Sequence, residues 1–132
     1  MTQLRISEAA RFLGVSDDTV RRMVESGTLS SLSDSSGRAV IDGSELAAEL
    51  RRAASTPEDP ARVASSARNR FVGLVTEVIM DKVMAQVELQ CGPFRVVSLM
   101  SSEAVRALDL KPGAVATAVI KSTNVMVETG KP

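Results

Sequence analysis

Two short polar clusters carry the side chains best suited to chemistry in this sequence. One reads Ser-Ser-Ala-Arg-Asn at 65–69, and the other reads Lys-Ser-Thr-Asn at 121–124. Both supply hydroxyl, amide and cationic hydrogen-bond donors, and neither contains a carboxylate. Such a donor set suits a fully deprotonated oxyanion, because no carboxylate is present to repel a dianion. We therefore expect an oxyanion site rather than a cation site.

A second candidate chemistry is nucleic-acid binding by two adjacent arginines, Arg21 and Arg22. The apolar residues Val20, Met23 and Val24 recur at i, i+3 and i+4, which predicts the buried face of a helix. Both arginines then project outward, where they are available to DNA. The alternative is that they are solvated surface residues that pair with nearby acidic side chains.

Composition excludes several kinds of catalytic centre. The chain has no His, Trp or Tyr, and its one cysteine is Cys91. Imidazole acid–base catalysis and zinc sites of histidine and cysteine are therefore excluded, and no nucleophile–base pair is visible. We predict a protein that is not an enzyme, holds no metal cation and needs no organic cofactor.

The domain organisation follows from a change of pattern near residue 55. The 132 residues are 44% hydrophobic and 24% charged, which is typical of a globular chain. The stretch Ser-Thr-Pro-Glu-Asp-Pro at 55–60 separates a helical pattern from a region of alternating β-branched residues. We expect a domain at 1–53, a linker at 54–64 and a second domain at 65–132.

The sequence also bears on location. No apolar run approaches the roughly 18 residues that span a bilayer, and the first residues lack the apolar core of a signal peptide. We predict a cytoplasmic protein without membrane contact.

Capping and turn residues predict a helix-turn-helix in the first domain. Ser7 is a good N-cap for a short helix, and Gly14 supplies the left-handed residue that ends it. Ser16 caps a second helix, which ends at Gly27. A turn at 34–37 predicts a hairpin wing, and a last helix follows.

Alternation of apolar and polar residues predicts a sheet in the second domain. Ser101 or Ser102 caps a short helix whose inner side carries Val105 and Leu108. Five strands and one helix indicate a small OB-like barrel, and the whole chain is of the mixed α+β class. The predicted strands are 71–80, 83–90, 94–100, 114–120 and 124–128.

Residues 3–52 resemble the winged helix-turn-helix of excisionase and MerR-type DNA-binding proteins. The resemblance rests on Ile-Ser-Glu-Ala-Ala-Arg-Phe-Leu-Gly-Val-Ser at 6–16, Thr-Val-Arg-Arg at 19–22 and Gly-Thr-Leu at 27–29. It implies that the second helix enters the major groove of double-stranded DNA while the wing grips phosphate. The wing tip reads Ser-Gly-Arg-Ala and keeps one arginine, so weaker wing contacts are expected. The implied DNA-binding residues are Ser16, Thr19, Arg21, Arg22 and Arg38.

The charge balance indicates that DNA binding needs an oligomer. Residues 1–64 hold eight basic and ten acidic residues, a net charge of −2. Because nonspecific affinity comes mainly from neutralised phosphates, a monomer would bind DNA poorly. An oligomer gains affinity by placing two units on two half-sites.

Residues 65–129 resemble the molbindin domain, also called Mop or TOBE. The resemblance rests on Ser-Ala-Arg-Asn at 66–69, Phe-Val-Gly-Leu-Val at 71–75, Leu-Asp-Leu-Lys-Pro-Gly at 108–113 and the segment 118–127. It implies that molybdate or tungstate binds at subunit interfaces of a dimer formed by strand exchange, or of a hexamer. The implied oxyanion-binding residues are Ser66, Ala67, Arg68, Ser101, Lys121 and Ser122.

Together the two resemblances predict a DNA-binding transcriptional regulator that responds to molybdate or tungstate. The alternative is an intracellular oxyanion store or buffer with a vestigial helix-turn-helix, which the negative first domain and the depleted wing favour. A third hypothesis is a DNA-binding protein whose barrel only oligomerises.

Overall fold

The computed structural model describes residues 2–130, so Met1, Lys131 and Pro132, at the ends of the predicted domains, lie outside the described residues. The described chain divides into two units, the first running to Ser55 and the second beginning at Thr56. Helices dominate the first unit and an antiparallel sheet dominates the second. The α+β class predicted from the sequence is confirmed.

The first unit packs three helices against a three-stranded antiparallel sheet of order β1-β3-β2. The β2–β3 hairpin is the predicted wing, whereas β1 was not predicted from the sequence. The core consists of fully or almost fully buried apolar residues, among them Val20, Leu29, Ile41 and Leu46. The elements are β1 (Gln3–Arg5), α1 (Ile6–Leu13), α2 (Asp17–Glu25), β2 (Ser31–Ser33), β3 (Ala39–Asp42) and α3 (Gly43–Ala53).

The helix ends follow the capping residues with one exception. Gly14 takes the left-handed conformation after α1, with φ +69°, and the Ser16 hydroxyl oxygen accepts from the Thr19 amide at 3.2 Å. Ser7 is not the N-cap of α1, because Arg5 holds that position. The strand β1 leads straight into α1, and the Glu8 carboxylate accepts from the Arg5 amide at 3.1 Å.

The second unit is a curled four-stranded sheet of order β6-β5-β4-β7 within the described residues. One face packs around buried side chains that include Val75, Val87, Leu89 and Val105. This is the OB-like arrangement predicted from the sequence. The elements are β4 (Asn69–Met80), β5 (Met84–Cys91), β6 (Phe94–Ser101), α4 (Ser102–Ala107), β7 (Val115–Ile120) and a 3₁₀ helix (Ser122–Asn124).

Two features explain how this sheet curls. The β4–β5 register shifts between Val75 and Glu77, and such a bulge bends the strand. Gly73 lets β4 approach β5 closely, because a Cβ there would lie 2.6 Å from the Cys91 Sγ and would also meet the Gln90 carbonyl. The sheet therefore wraps tightly on its inner face.

The predicted closing strand at 124–128 does not form in this chain. Asn124 ends the 3₁₀ helix, Val125 has extended backbone, and the residues from 125 to 130 pair with no strand among residues 2–130. Alternation of apolar and polar residues gives a segment strand character, but a strand also needs a neighbour with free backbone groups. The side chains of Met126 and Val127 are 90% and 85% exposed as a result.

Candidate functional site

The β4–β7 ladder brings the two polar clusters to one end of the sheet. Asn69 pairs with Ile120, and the Asn69 Nδ2 donates to the Ile120 carbonyl at 3.1 Å. Because the strands are antiparallel, the residue before Asn69 and the residue after Ile120 lie at the same end. These residues are Arg68 and Lys121, the two cations of the predicted oxyanion site.

Hydroxyl and amide donors flank these cations. Ser66 and Ala67 precede β4, and Ser122 opens the 3₁₀ helix, for which Lys121 is the N-cap residue. Ser66 and Ser122 are exposed, whereas Ala67 is half-buried. The Ala67 amide donates to the Ser65 hydroxyl oxygen at 3.1 Å, so a ligand would have to compete for that amide.

The positive charge at this end of the sheet has no acidic partner within residues 2–130. Neither Arg68 nor Lys121 forms an ion pair there, and both side chains are exposed. Arg70, two residues further along, is instead neutralised by Asp59, with 2.8 Å between Nε and Oδ2. The cluster thus combines two uncompensated cations with hydroxyl donors, which suits a dianion.

Ser101 lies apart from the other predicted oxyanion-binding residues. It pairs with Met84 at the start of β5, next to the turn that follows the end of β4 at Met80. That end of β4 is opposite to the end that carries Arg68. The Ser101 hydroxyl oxygen caps α4 by accepting from the Ala104 amide at 3.0 Å, which leaves its O–H free to donate.

The predicted DNA-binding residues of α2 differ in how they are engaged. The Ser16 and Thr19 side chains lie 3.0 Å apart, oxygen to oxygen, at the N-terminus of α2. Arg21 forms an exposed ion pair with Asp18 at 3.1 Å. Arg22 is exposed and forms no ion pair in the described part of the chain.

The wing arginine, Arg38, lies at the end of the β2–β3 turn. Its Nε is 3.5 Å from the Asp34 Oδ2, and its amide donates to the Asp34 Oδ1 at 2.9 Å. Hydrogen bonds from the Arg38 and Ser36 amides, together with the charges of Arg38 and Arg5, lower the pKa of Asp34.

Sequence reasoning missed Arg5 as a candidate functional residue. Arg5, Arg21 and Arg38 line one open cavity of about 290 Å³. The signal was absent because Arg5 ends a three-residue strand that the sequence pattern does not reveal.

The fold and the sites define a class: a winged helix-turn-helix unit followed by an OB-like unit with a cluster of anion donors. The family model described as "TOBE domain" matches residues 65–127, and "Helix-turn-helix domain" matches residues 4–54. The chain belongs to the TOBE family and carries an N-terminal helix-turn-helix domain, which confirms both resemblances.

Curated relatives match the second unit. Molybdenum-pterin-binding proteins 3 and 1 of Clostridium pasteurianum are 43% and 41% identical over 63 residues, which cover 47% of this chain and 93% of each relative. A molybdate binding protein from Sporomusa ovata is 30% identical, with a TM-score of 0.49, over 51% of this chain and 100% of its own. MopII from Clostridium pasteurianum is 39% identical, with a TM-score of 0.47, over 50% of this chain and 100% of its own. Because both TM-scores lie below 0.5, the family assignment rests on the sequence matches.

Among residues 2–130, no helix has both the length and the apolar character needed to span a membrane. These residues also contain no group of three or more His, Cys, Asp or Glu side chains placed to hold a metal ion.

Proposed function

We propose that this protein is a cytoplasmic transcriptional regulator that binds double-stranded DNA in response to molybdate or tungstate. The observation that carries the proposal is the placement of Arg68 and Lys121 at one end of the β4–β7 ladder, with no acidic partner among residues 2–130. The names of the curated relatives support molybdenum as the element bound. The donor chemistry favours the free oxyanion, without an organic cofactor.

The proposed oxyanion site is shared between subunits of a homo-oligomer. Ser101 lies at the opposite end of β4 from the other donors, so a second chain is the natural source of its hydroxyl. The segment 125–127 pairs with no strand among residues 2–130, and its apolar residues are 44–90% exposed, which supports strand exchange between chains. Either a dimer or a hexamer satisfies both requirements.

The binding free energy expected from these donors is adequate for an oxyanion sensor. Four or five charge-assisted hydrogen bonds contribute roughly 1.5–3 kcal/mol each, from which the cost of dehydrating a dianion must be subtracted. The remainder is compatible with micromolar binding. Since the donors come from two chains, the ligand also stabilises the assembly that DNA binding needs.

Storage of the oxyanion is the second candidate function. The first unit and the following segment have a net charge of −2 over residues 1–64, and Arg21 and Arg38 are both engaged by aspartates. These features weaken DNA binding by a single unit. A store would need the second unit and its oligomer alone.

Calorimetry and DNA retention separate the two candidates. The regulator should bind molybdate and tungstate far more tightly than sulfate, and molybdate alone should change its affinity for DNA. Lys121→Ala should keep basal DNA binding but lose oxyanion binding and the response, whereas the exposed turn lysine changed in Lys82→Ala should behave as wild type. Oxyanion binding without any molybdate effect on DNA retention would leave storage as the function. Equal affinity for sulfate would contradict both candidates.

A further inference from the structure

Three arginines from three separate elements converge beside α2. Arg5 ends β1, Arg21 lies at the middle of α2, and Arg38 lies just before β3. All three line the cavity of about 290 Å³, which is open to solvent. We name this feature the arginine cleft.

Strand pairing explains why residues so far apart in sequence meet. Arg5 pairs with Val40 in the β1–β3 ladder, which sets it beside the wing strand that follows Arg38. Arg21 also reaches the wing, because it lines a neighbouring cavity with Ser31 and Ala39. The arginine cleft is therefore held by the sheet and by α2 together.

The side chains that line the cleft carry three positive charges and one negative charge, that of Asp17. Asp18 and Asp34 do not line it but pair with Arg21 and Arg38, so the three carboxylates together balance the three arginines until a ligand displaces them. The Arg5 guanidinium forms no ion pair among residues 2–130, and only its backbone amide is used, by Glu8.

A phosphate can compete with these carboxylates for the guanidinium groups. Arg21 and Asp18 expose 58% and 77% of their side chains, and exposed ion pairs are weak. A guanidinium donates two parallel hydrogen bonds to a phosphate, which makes arginine the preferred residue for this ligand. A cleft with an unpaired arginine and two weakly paired ones suits one phosphodiester group.

We propose that the arginine cleft binds a phosphate of the DNA backbone, with Arg5 as a direct contact. This inference rests on the proposed DNA binding and assigns different DNA contacts to Arg21 and Arg22. Arg21 then contacts the backbone through the cleft, and Arg22 remains as the base-reading arginine of α2. Such phosphate contacts position the protein on the duplex without carrying sequence information.

The test is the salt dependence of DNA binding by the full chain. Arg5→Gln should weaken binding about eightfold at 0.1 M salt, since each neutralised phosphate contributes about 0.9 to the slope of log affinity against log salt. The loss should be equal for random-sequence duplexes and for any duplex enriched by selection, and the slope should fall by about 1. Arg5→Lys should retain the slope, because it keeps the charge. The control is Arg11→Gln, which removes an exposed α1 arginine outside the cleft.

The outcomes are distinguishable. If wild type binds DNA and Arg5→Gln behaves like Arg11→Gln, the cleft assignment is wrong while the proposed function stands. A loss confined to one selected sequence would make Arg5 a base contact and would also overturn the assignment. If wild type binds no DNA at any salt concentration, both proposals fail. Circular dichroism of each variant checks folding, and if Arg5→Gln does not fold, Arg21→Gln should lower the slope in the same way and equally for all sequences.

Discussion

The carboxylate of Asp59 is held by three donors from the second unit. The Arg70 Nε lies 2.8 Å from it, the Thr117 hydroxyl donates at 2.7 Å, and the Ala61 amide donates at 2.9 Å. With the Arg70 bond as the largest cause, these contacts lower the pKa of Asp59 from 3.8 to about 2. This one residue therefore fastens the proline-containing segment after Ser55 to β4 and β7.

The lowered pKa has a defined consequence for stability. A carboxyl with a depressed folded-state pKa contributes stability above its unfolded value, and the contribution is lost as pH falls through the folded value. The second unit of wild type should thus be more stable than that of Asp59→Asn above pH 3.8, and the difference should shrink as pH falls to about 2. This stability difference is measured at each pH by urea unfolding, followed through the NMR amide resonances of the second unit.

A neighbouring carboxylate provides the control for Asp59. Glu58 pairs with Arg62, but both side chains are more than four-fifths exposed, so Glu58→Gln should leave stability unchanged. A difference between wild type and Asp59→Asn that does not vary with pH would contradict the assignment.

At the scale of elements, α4 is joined to the sheet by two adjacent serines with different tasks. Ser101 caps α4 and is a predicted oxyanion donor. Ser102 is fully buried, and its hydroxyl lies 2.7 Å from the Asp81 carbonyl and 3.0 Å from the Met84 carbonyl. Ser102 thus anchors α4 to the turn between β4 and β5.

Substitutions at these two serines should distinguish an effect on stability alone from an effect on oxyanion binding. Ser102→Ala should cost about 1–3 kcal/mol of folding free energy, because it removes a buried hydrogen bond, and should leave oxyanion affinity unchanged. Ser101→Ala should cost about 1 kcal/mol as a lost N-cap and should also lower oxyanion affinity. Urea unfolding and molybdate calorimetry measure the two effects. Unchanged oxyanion affinity in Ser101→Ala would remove Ser101 from the site.

The elements also show what local sequence can predict. Ser16 and Gly14 satisfy backbone groups within a few residues, so their roles are readable without a fold. β1 is only three residues long and exists because β3 pairs with it. Leu108 was predicted on the inner side of α4 but is exposed, because α4 ends at Ala107.

The candidate oxyanion site also combines local features, which the sequence reveals, with a long-range pairing, which it does not. Donor types were readable from the motif, whereas the β4–β7 register that brings Arg68 and Lys121 to one end is a long-range pairing. The same holds for Arg5, which joins the arginine cleft only through the sheet.

At the scale of the whole molecule, the second unit exposes several large apolar side chains. Phe94 and Leu99 on the edge strand β6 are 66% and 72% exposed. Met126 and Val127 follow the polar residues 121–124 of the candidate oxyanion site and are exposed as well. Large apolar side chains exposed on an edge strand and on an extension beyond the sheet are typical of an interface between copies of a chain. We therefore expect the oligomer and the oxyanion site to depend on the same segment.

Replacing Val127 with aspartate tests this dependence. Val127→Asp should weaken self-association, because a carboxylate at a strand-exchange interface loses its hydration without a partner. It should also lower molybdate affinity while leaving Arg68 and Lys121 intact, since a ligand shared between chains binds only as tightly as the assembly allows. Sedimentation velocity with and without molybdate measures assembly, and calorimetry measures binding. Val83→Asp, at a position in the β4–β5 turn that is 69% exposed, should change neither. If Val127→Asp became monomeric yet bound molybdate with wild-type affinity, the site would lie within one chain and the link between ligand and assembly would be wrong.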